Sequence, residues 1–333
     1  MRSKFDRATR YSYMLAAVFL LSVLVAGCGT PDPSLTRSVS AGDKPQGRIL
    51  FAANGNISMW DGSVHQITKV GDASFPSWSS DGKRFVFVRT GDAFSDLYTD
   101  SVDGGQMSQL THNQPTNQEG TQAYVDNAVW ALDPSWSPTA DTIAYVSDLQ
   151  TAQNYIWLMQ GLGNPPHQVP ASTVNGDNVE NPSFSPDGTK LVFTQRVTKV
   201  NDTQRSTGLW IVDLNTGKLT SLVTADSGAY DAVWSPDGNW IAFIQRDGTN
   251  NDLWVVPATG GQPTRLTQGK QLASPVWSPE SSQIAFFEVD GEQFKVSYVG
   301  FSVDTTGKPT ATASQKLFSA DGIDATSSMS WSK

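Results

Sequence analysis

One short pattern recurs five times along this chain and sets its architecture. In each copy an aromatic residue is followed, across a turn of the Ser-Pro-Asp-Gly type, by an apolar triplet. Proline presets the backbone angle that such a turn needs and glycine accepts positive φ, so each copy predicts a β-hairpin. The copies at residues 137–141 and 278–282 lack the glycine, and we expect a different turn there. The five aromatics are Trp78, Trp136, Phe184, Trp234 and Trp277.

Two further strands complete the repeating unit. A third strand carries its own aromatic residue, and a fourth ends in a Leu-Thr pair such as Leu110-Thr111 or Leu266-Thr267. Four antiparallel strands that repeat in this way are typical of a β-propeller blade. A solenoid of similar period is the alternative, but solenoids need distinct capping repeats. The third-strand pairs are Leu97-Tyr98, Ile156-Trp157, Leu209-Trp210 and Leu253-Trp254.

The two ends of the chain complement each other. Residues 48–52 begin the pattern at a second strand, and residues 329–332 supply a first strand that only Lys333 follows. We therefore predict an all-β fold over residues 48–333: a six-bladed β-propeller of four-stranded antiparallel blades, closed when the C-terminal strand joins the N-terminal blade. The first-strand tryptophans are predicted to be core residues and not ligand platforms.

The amino terminus has a different organisation. Arg2, Lys4, Arg7 and Arg10 precede an apolar run from Met14 to Gly27, as in an export signal. That run is shorter than the roughly 20 residues that cross a bilayer, so a permanent transmembrane helix is the weaker interpretation.

The apolar run ends at Val25-Ala26-Gly27-Cys28, and Cys28 is the only cysteine in the sequence. This ending resembles the lipobox of bacterial lipoproteins. The resemblance implies that residues 1–27 are a signal peptide, that Cys28 is acylated, and that the Pro-, Ser- and Gly-rich residues 28–47 form a flexible tether. An ordinary signal peptide that happens to end in a cysteine is the alternative.

Composition and missing motifs argue against several classes of function. A net charge of −9 disfavours nucleic acid as a partner. The sequence has no Gly-x-Ser-x-Gly elbow, no His-Glu-x-x-His and no cysteine pair, so peptidase and zinc chemistry lack support. The Asp-Gly pairs lack the spacing of a calcium loop and fall where strands turn. We predict no cofactor, no metal and no catalytic residue, although an enzymatic activity stays open.

The repeating unit resembles the TolB-type, WD-like propeller repeat, which also occurs in the propellers of dipeptidyl peptidase IV and prolyl oligopeptidase relatives. The resemblance rests on the aromatic, Ser-Pro-Asp-Gly and apolar-triplet series across residues 48–333. It implies the propeller architecture more strongly than it implies an activity.

One face of the predicted propeller has the longer loops. It gathers residues 112–133, 170–181, 197–207, 224–230, 268–274 and 319–328, and long loops on a rigid scaffold often carry function. Their amides, carboxylates and aromatics suit a glycan or a polar peptide, although they could also be simply solvated. The candidate binding residues are His112, Glu119, Tyr124, Asp126, Asn127, Trp130, Asp177, Asn178, Glu180, Arg205, Tyr230 and Asp231.

The sequence therefore favours a monomeric, non-catalytic, lipid-anchored propeller outside the cytoplasm. We expect it to bind a protein or polysaccharide of the cell envelope and to contact the membrane through its anchor only. Two alternatives stay open: an accessory subunit of an envelope complex, and a glycan lyase or hydrolase. The enzyme would use carboxylates such as Glu119, Asp126, Asp177, Glu180 or Asp231.

Overall fold

The chain forms a ring of six antiparallel sheets, the blades, each presenting its first strand to a central channel. The structure is a computed structural model that describes residues 44–151, 153–169, 178–198, 205–224 and 227–333. The predicted signal peptide, Cys28 and most of the predicted tether lie outside the described residues, as does Asp177. No helix in the described ranges is long and apolar enough to cross a membrane.

The blades follow one another in chain order. Blade 1 contains β1 (Arg48–Ala53), β2 (Asn56–Trp60) and β3 (Val64–Gln66). Blade 2 contains β4 (Ala73–Trp78), β5 (Arg84–Thr90), β6 (Ser95–Ser101) and β7 (Ser108–Gln109). A short helix, α1 (Gln122–Asp126), lies between blades 2 and 3. Blade 3 contains β8 (Ala131–Trp136), β9 (Thr142–Ser147), β10 (Tyr155–Gln160) and β11 (His167–Gln168).

The remaining blades repeat the arrangement. Blade 4 contains β12 (Val179–Phe184), β13 (Lys190–Thr198), β14 (Arg205–Asp213) and β15 (Leu219–Val223). Blade 5 contains β16 (Ala229–Trp234), β17 (Trp240–Asp247), β18 (Asn250–Pro257) and β19 (Thr264–Arg265). Blade 6 contains β20 (Leu272–Trp277), β21 (Gln283–Asp290), β22 (Gln293–Val303), β23 (Pro309–Ala311) and β24 (Gln315–Ser319), and β25 (Ser330–Ser332) follows it.

The ring closes as the sequence predicts. Strand β25 pairs antiparallel with β1, which places Trp331 opposite Ile49, so the last strand is the first strand of blade 1. The Trp331 indole N–H also donates to the Gln46 carbonyl at 2.8 Å. The two ends of the chain therefore hold each other in one sheet.

The hydrophobic core is divided among the gaps between neighbouring blades. Trp78, for example, packs with Leu50 of blade 1 and Phe87 of its own blade, and Trp277 packs with Phe286 against blade 5. Trp78, Trp136, Trp277 and Trp331 are buried, whereas Trp234 is half-buried. These positions confirm that the first-strand tryptophans are structural.

The first hairpin turn has the same form with and without glycine. The Gly238 amide donates to the Ser235 carbonyl at 2.9 Å, and the Ser281 amide donates to the Ser278 carbonyl at the same distance. Ser281 adopts a φ of 56°, close to the 75° of Gly238. The expectation of a different turn at 278–282 was therefore wrong, because serine accepts the left-handed backbone there. At 137–141 the turn does differ, since the Thr142 amide donates to the Ala140 carbonyl.

Blade 6 has a divided outer edge. Strand β22 pairs through Lys295–Tyr298 with β24, and through Phe301–Val303 with β23. Residues 301–311 therefore form a small hairpin of their own.

The two faces of the ring differ in their loops. The short-turn face carries the first hairpin turns, such as residues 79–83, 185–189 and 235–239. The long-loop face carries residues 67–72, 91–94, 110–130, 148–154, 266–271 and 320–329. Residues 178, 198 and 205, each next to a segment outside the described residues, lie on the same face. Arg48 at the start of β1 lies over the Trp78 ring (4.6 Å) and donates through Nε to the carbonyl of Lys333 (3.0 Å). Residues 44–47 therefore join the ring on the short-turn face.

Candidate functional site

Every first strand in blades 2 to 6 has a bulge at the same point. The pairing register with the second strand shifts in the middle of the first strand, for example between Leu132 and Ser135. The third residue of each strand adopts positive φ although none is glycine, and in four blades proline follows it. A bulge tolerates proline because it leaves one residue out of the hydrogen-bond ladder. The five residues, with φ between 49° and 53°, are Phe75, Asp133, Asn181, Asp231 and Ser274.

These bulges surround the channel near its long-loop end. Each strand begins at the long-loop face and runs towards a hairpin turn on the short-turn face, so the third residue lies two positions inside the opening. We call this part of the channel, defined by the five bulge residues with Glu180 and Ser327, the channel mouth.

Side chains of the channel mouth join neighbouring blades. The Asn181 amide donates to Oδ2 of Asp133 at 3.1 Å, and the Ser274 amide donates to Oδ2 of Asp231 at 3.2 Å. The Phe75 amide donates to the Ser327 hydroxyl at 2.7 Å. Each bond links the bulge of one blade to the preceding blade, so the strained backbone is held by its neighbours.

The two aspartates of the channel mouth have unusual acidities. Burial raises the pKa of Asp133 to about 7, with further contributions from the negative charges of Glu180 and Asp231. Burial and the charge of Glu180 raise the pKa of Asp231 to about 6, against the hydrogen bond from the Ser274 amide. Carboxyls perturbed in this way and lying in a cleft are candidates for function.

Arg196 is the cation that faces these carboxyls in the described chain. Its Nε lies 2.7 Å from Oε1 of Glu180, and its charge lowers the pKa of both Asp133 and Asp231. Arg196 is thus paired with Glu180, and its charge acts on Asp133 and Asp231 only at longer range. The arrangement can accept hydrogen bonds from a cationic group or exchange a proton near neutral pH.

Metal binding has little support in the described ranges. No group of three or more His, Cys, Asp or Glu side chains there converges closely enough to hold an ion. The histidines of the sequence, His65, His112 and His167, are exposed and lie in different blades or loops.

The loop between blades 2 and 3 carries several of the predicted residues. His112, Glu119, Asp126 and Asn127 are exposed there, as a binding role requires, but Tyr124 is the buried residue of α1. A binding role for Tyr124 stays a prediction, and little of its side chain is accessible to a partner in this structure. Its amide is capped by Thr121 at the start of the helix, which the sequence did not predict.

Glu119 lies close to a second carboxyl. A hydrogen bond with Asp92, and the negative charge of that residue, raise the pKa of Glu119. The two acidic side chains, which belong to neighbouring loops, therefore lie close together at the surface.

Other predicted residues lie at or near the channel mouth. Glu180, Tyr230 and Asp231 belong to β12 and β16, and Trp130 precedes β8 with its amide donating to Asp148 (2.9 Å). Asn178 accepts the Asn154 amide at 3.1 Å. Arg205 begins β14, but its side chain is not among the described ones.

Sequence reasoning missed Asp133, Arg196 and Phe75. The signal that could have found Asp133 and Phe75 was the proline inside a strand, which indicates a bulge and so a special backbone position before it. Arg196 had no such signal, because its place beside Glu180 depends on the register of β12 with β13.

Comparison with known families agrees with the fold. A family model described as the TolB beta propeller domain matches residues 118–317, more than half of the chain. The chain belongs to the TolB beta propeller domain family.

Relatives of this TolB-type propeller cover it unequally. An uncharacterized protein from Agrobacterium fabrum is 27% identical over 219 residues, 61% of this chain and 68% of the relative. Dipeptidyl-peptidase 5 from Porphyromonas gingivalis is 29% identical over 148 residues, 41% of this chain and 21% of the peptidase. An uncharacterized peptidase from Bacillus subtilis is matched over 14% of its length. The chain thus spans a small part of the two peptidases.

Solved structures share the TolB-type fold. TolB from Acinetobacter baumannii aligns with a TM-score of 0.65 and 19% identity, over 86% of this chain and 66% of that one. An oligogalacturonate lyase in complex with manganese aligns with a TM-score of 0.52 and 16% identity, over 81% of this chain and 75% of the lyase. At such identities these likenesses concern the fold alone.

Proposed function

We propose that this TolB-type propeller is an extracytoplasmic lipoprotein without catalytic activity. In this proposal it binds a protein or polymer of the cell envelope through its long-loop face. The observation that carries the proposal is the placement of the channel mouth, with its perturbed carboxyls, among the longer loops. Side chains with perturbed pKa values and long loops on a rigid scaffold are common features of binding sites.

The attachment point of the tether supports this arrangement. The described chain reaches β1 on the short-turn face, opposite the channel mouth. A lipid on Cys28 would therefore attach the ring to the bilayer through a tether on the short-turn side and leave the long-loop face free for a partner.

Steric blocking of one face tests the binding surface without assuming its chemistry. Glu119→Cys places a thiol on the long-loop face, and Asp103→Cys places one on the short-turn face; both residues are exposed. Each variant is coupled to a bulky polyethylene-glycol maleimide and used to capture partners from solubilised envelope. Retention of a protein or polymer by the Asp103 conjugate and its loss from the Glu119 conjugate is the expected result. Equal retention by both would exclude the long-loop face.

Lipidation is tested independently through Cys28. Cells that express the chain are fed labelled palmitate, and we expect label in the wild-type chain and none in Cys28→Ala. The wild-type chain is also treated with the maleimide reagent, since reaction at Cys28 shows that its thiol is free. A labelled Cys28→Ala chain, or an unlabelled wild type, would contradict the anchor.

A further inference from the structure

The long-loop face has carboxylates that its own cations do not neutralise. Its ion pairs include Arg89 with Asp72, Arg265 with Asp252, and Lys270 with Glu288, at 2.5–2.8 Å. Among the side chains that the structure describes, which do not include that of Arg205, no cation forms an ion pair with a second group of acidic residues on this face and in its channel. That group is Asp92, Glu119, Asp126, Asp133 and Asp231.

The channel mouth holds the innermost part of this charge. Asp133 and Asp231 each use Oδ2 to accept an amide, and Oδ1 of each has no hydrogen-bond partner among the described residues. Arg196 is engaged with Glu180. Two carboxylate oxygens are therefore free to accept a donor that carries positive charge.

A second observation on the same wall indicates an unfilled hydrogen-bond position. Thr194 is paired across the sheet with Glu180, so their side chains lie on the same side of blade 4; Val192, two residues before Thr194, packs on that side against blade 5. Thr194 is fully buried, and in the described part of the chain its hydroxyl has no partner. A buried hydroxyl without a partner is costly, which favours occupancy of this wall by a polar group.

An organic cation suits this wall better than a metal ion. The carboxyls come from three different blades, and no three acidic or histidine side chains in the described ranges converge on one point. Ammonium and guanidinium groups need separated acceptors, since their hydrogens point in different directions. A polymer suits it better than a small amine, because unneutralised carboxyls continue outwards to Glu119 and Asp126 on the loop.

We infer that the long-loop face binds a basic peptide segment whose lysine or arginine side chain enters the channel mouth between Asp133 and Asp231. The outer carboxylates, Glu119 among them, then attract the flanking basic residues of the same segment. This inference rests on the proposed function, since it names the partner chemistry of the same face.

Calorimetric titration of the full-length chain in detergent with decalysine tests the inference. The channel variant is Asp133→Asn with Asp231→Asn, in which the amide oxygen still accepts the neighbouring backbone N–H. The matched control is Asp103→Asn with Glu280→Gln, which removes the same charge from exposed positions on the short-turn face. We expect wild type and control to bind within about twofold of each other, and the channel variant to bind at least ~10-fold more weakly.

Proton release provides a second readout. Because burial raises the pKa of Asp133 to about 7, a peptide ammonium that ionises this carboxyl releases protons at pH 6.5. Titrations in two buffers of different ionisation enthalpy measure the number of protons, and we expect release by wild type and none by the channel variant.

Several results would overturn the inference. Equal weakening of the channel variant and the control would mean diffuse attraction to an acidic surface. Binding of spermine as tight as that of decalysine would mean an amine site without peptide preference, and binding of Ca²⁺ that Asp133→Asn with Asp231→Asn abolishes would mean a metal site. If decalysine does not bind while the face-blocking experiment still shows envelope capture, the proposed function stands and the basic partner fails. If neither experiment shows binding, both fail.

Discussion

Asp133 and Asp231 combine two unfavourable features at single residues. Each adopts a left-handed backbone, which costs an L-residue about 1–2 kcal/mol, and each places a carboxyl where it loses much of its hydration. The bond that each accepts from the next bulge offsets part of this cost. Selection for stability alone would favour glycine or asparagine at these positions. The presence of aspartate therefore indicates a functional role.

The acidity of Asp133 predicts how stability changes with pH. Its pKa is raised in the folded state, so folding favours the protonated form, and this contribution to stability is lost as the pH rises from about 4 to about 7. Asp133→Asn removes this decrease in stability with rising pH, because asparagine does not ionise. We expect the free energy of unfolding of the variant to exceed that of wild type by about 1–3 kcal/mol at pH 8 and to match it near pH 4. Urea unfolding across this range measures the difference.

Asp103→Asn is the control for that pH series, because Asp103 is exposed. We expect the difference in the free energy of unfolding between Asp103→Asn and wild type to be the same at each pH. A flat difference for Asp133→Asn as well would show that the carboxyl titrates normally.

Gly188 offers a separate prediction about a hairpin turn. It has a φ of 71°, and a Cβ at this position would lie 2.4 Å from Oγ1 of Thr139 in the turn of the preceding blade. We expect Gly188→Ala to lower the free energy of unfolding by about 1–3 kcal/mol. Gly217→Ala is the matched control, with a φ of 68° and open space around its Cβ. Urea denaturation that gives equal losses for both would mean that the contact between turns contributes nothing.

The repeated Ser-Trp dipeptide joins one strand to the next blade. The serine hydroxyl accepts the backbone amide of the following blade's tryptophan: Ser330 accepts that of Trp78 at 3.0 Å, and Ser77 accepts that of Trp136 at 3.0 Å. Since the tryptophan fills the gap between blades, the dipeptide fixes both the packing and the spacing of adjacent first strands.

Removal of one such hydroxyl should weaken one blade interface. Ser77→Ala leaves the Trp136 amide without its acceptor, and we expect a loss of about 1–3 kcal/mol in the free energy of unfolding. Ser108→Ala, at an exposed position on an outer strand, should change it by less than about 0.5 kcal/mol. Thermal unfolding of the pair measures both. A Ser77→Ala chain as stable as Ser108→Ala would show that water replaces the serine.

The Leu-Thr pairs show where pattern reading succeeds and where it stops. They were expected to end the fourth strands, but β7 ends at Gln109 and β19 at Arg265, just before them. Thr111 instead accepts the Leu97 amide and donates to Asp96. The Leu-Thr pattern locates the outer end of the blade correctly, because the threonine hydroxyl bonds to the third strand there. Periodicity cannot, however, distinguish a paired strand from a loop that side chains cap.

At the scale of the whole molecule, the ring was predictable because its signals are repeated. A hairpin turn written five times allows one weak local signal to confirm another, and the complementary chain ends supply the closure. The channel mouth was less predictable, since Asp133, Asp231 and the Glu180–Arg196 pair come from three different blades. Their meeting depends on the register of each bulge and on blade-to-blade packing, which no local pattern encodes.

Ring closure makes the last residues important to the whole fold. Deletion of residues 329–333 removes Trp331, the pairing of β25 with β1, and the Ser330 acceptor for the Trp78 amide. It also exposes an edge of β1, whose residues Ile49–Ala52 are at most 1% exposed in the closed ring. We expect the deletion to cost more than about 4 kcal/mol, mostly from the lost tryptophan, and to lower the midpoint of thermal unfolding by well over 5 °C.

A circular permutant separates closure from simple loss of mass. Lys333 lies against Arg48, so a short linker can join residue 333 to residue 44. New ends can then open in the exposed turn at 304–308, between β22 and β23. Because β25 and β1 become one hairpin, this permutant should keep the wild-type melting temperature while the deletion does not. If the deleted chain melts like wild type, β25 does not hold the ring; if both altered chains lose stability equally, the 304–308 hairpin is as important to the ring as its closure.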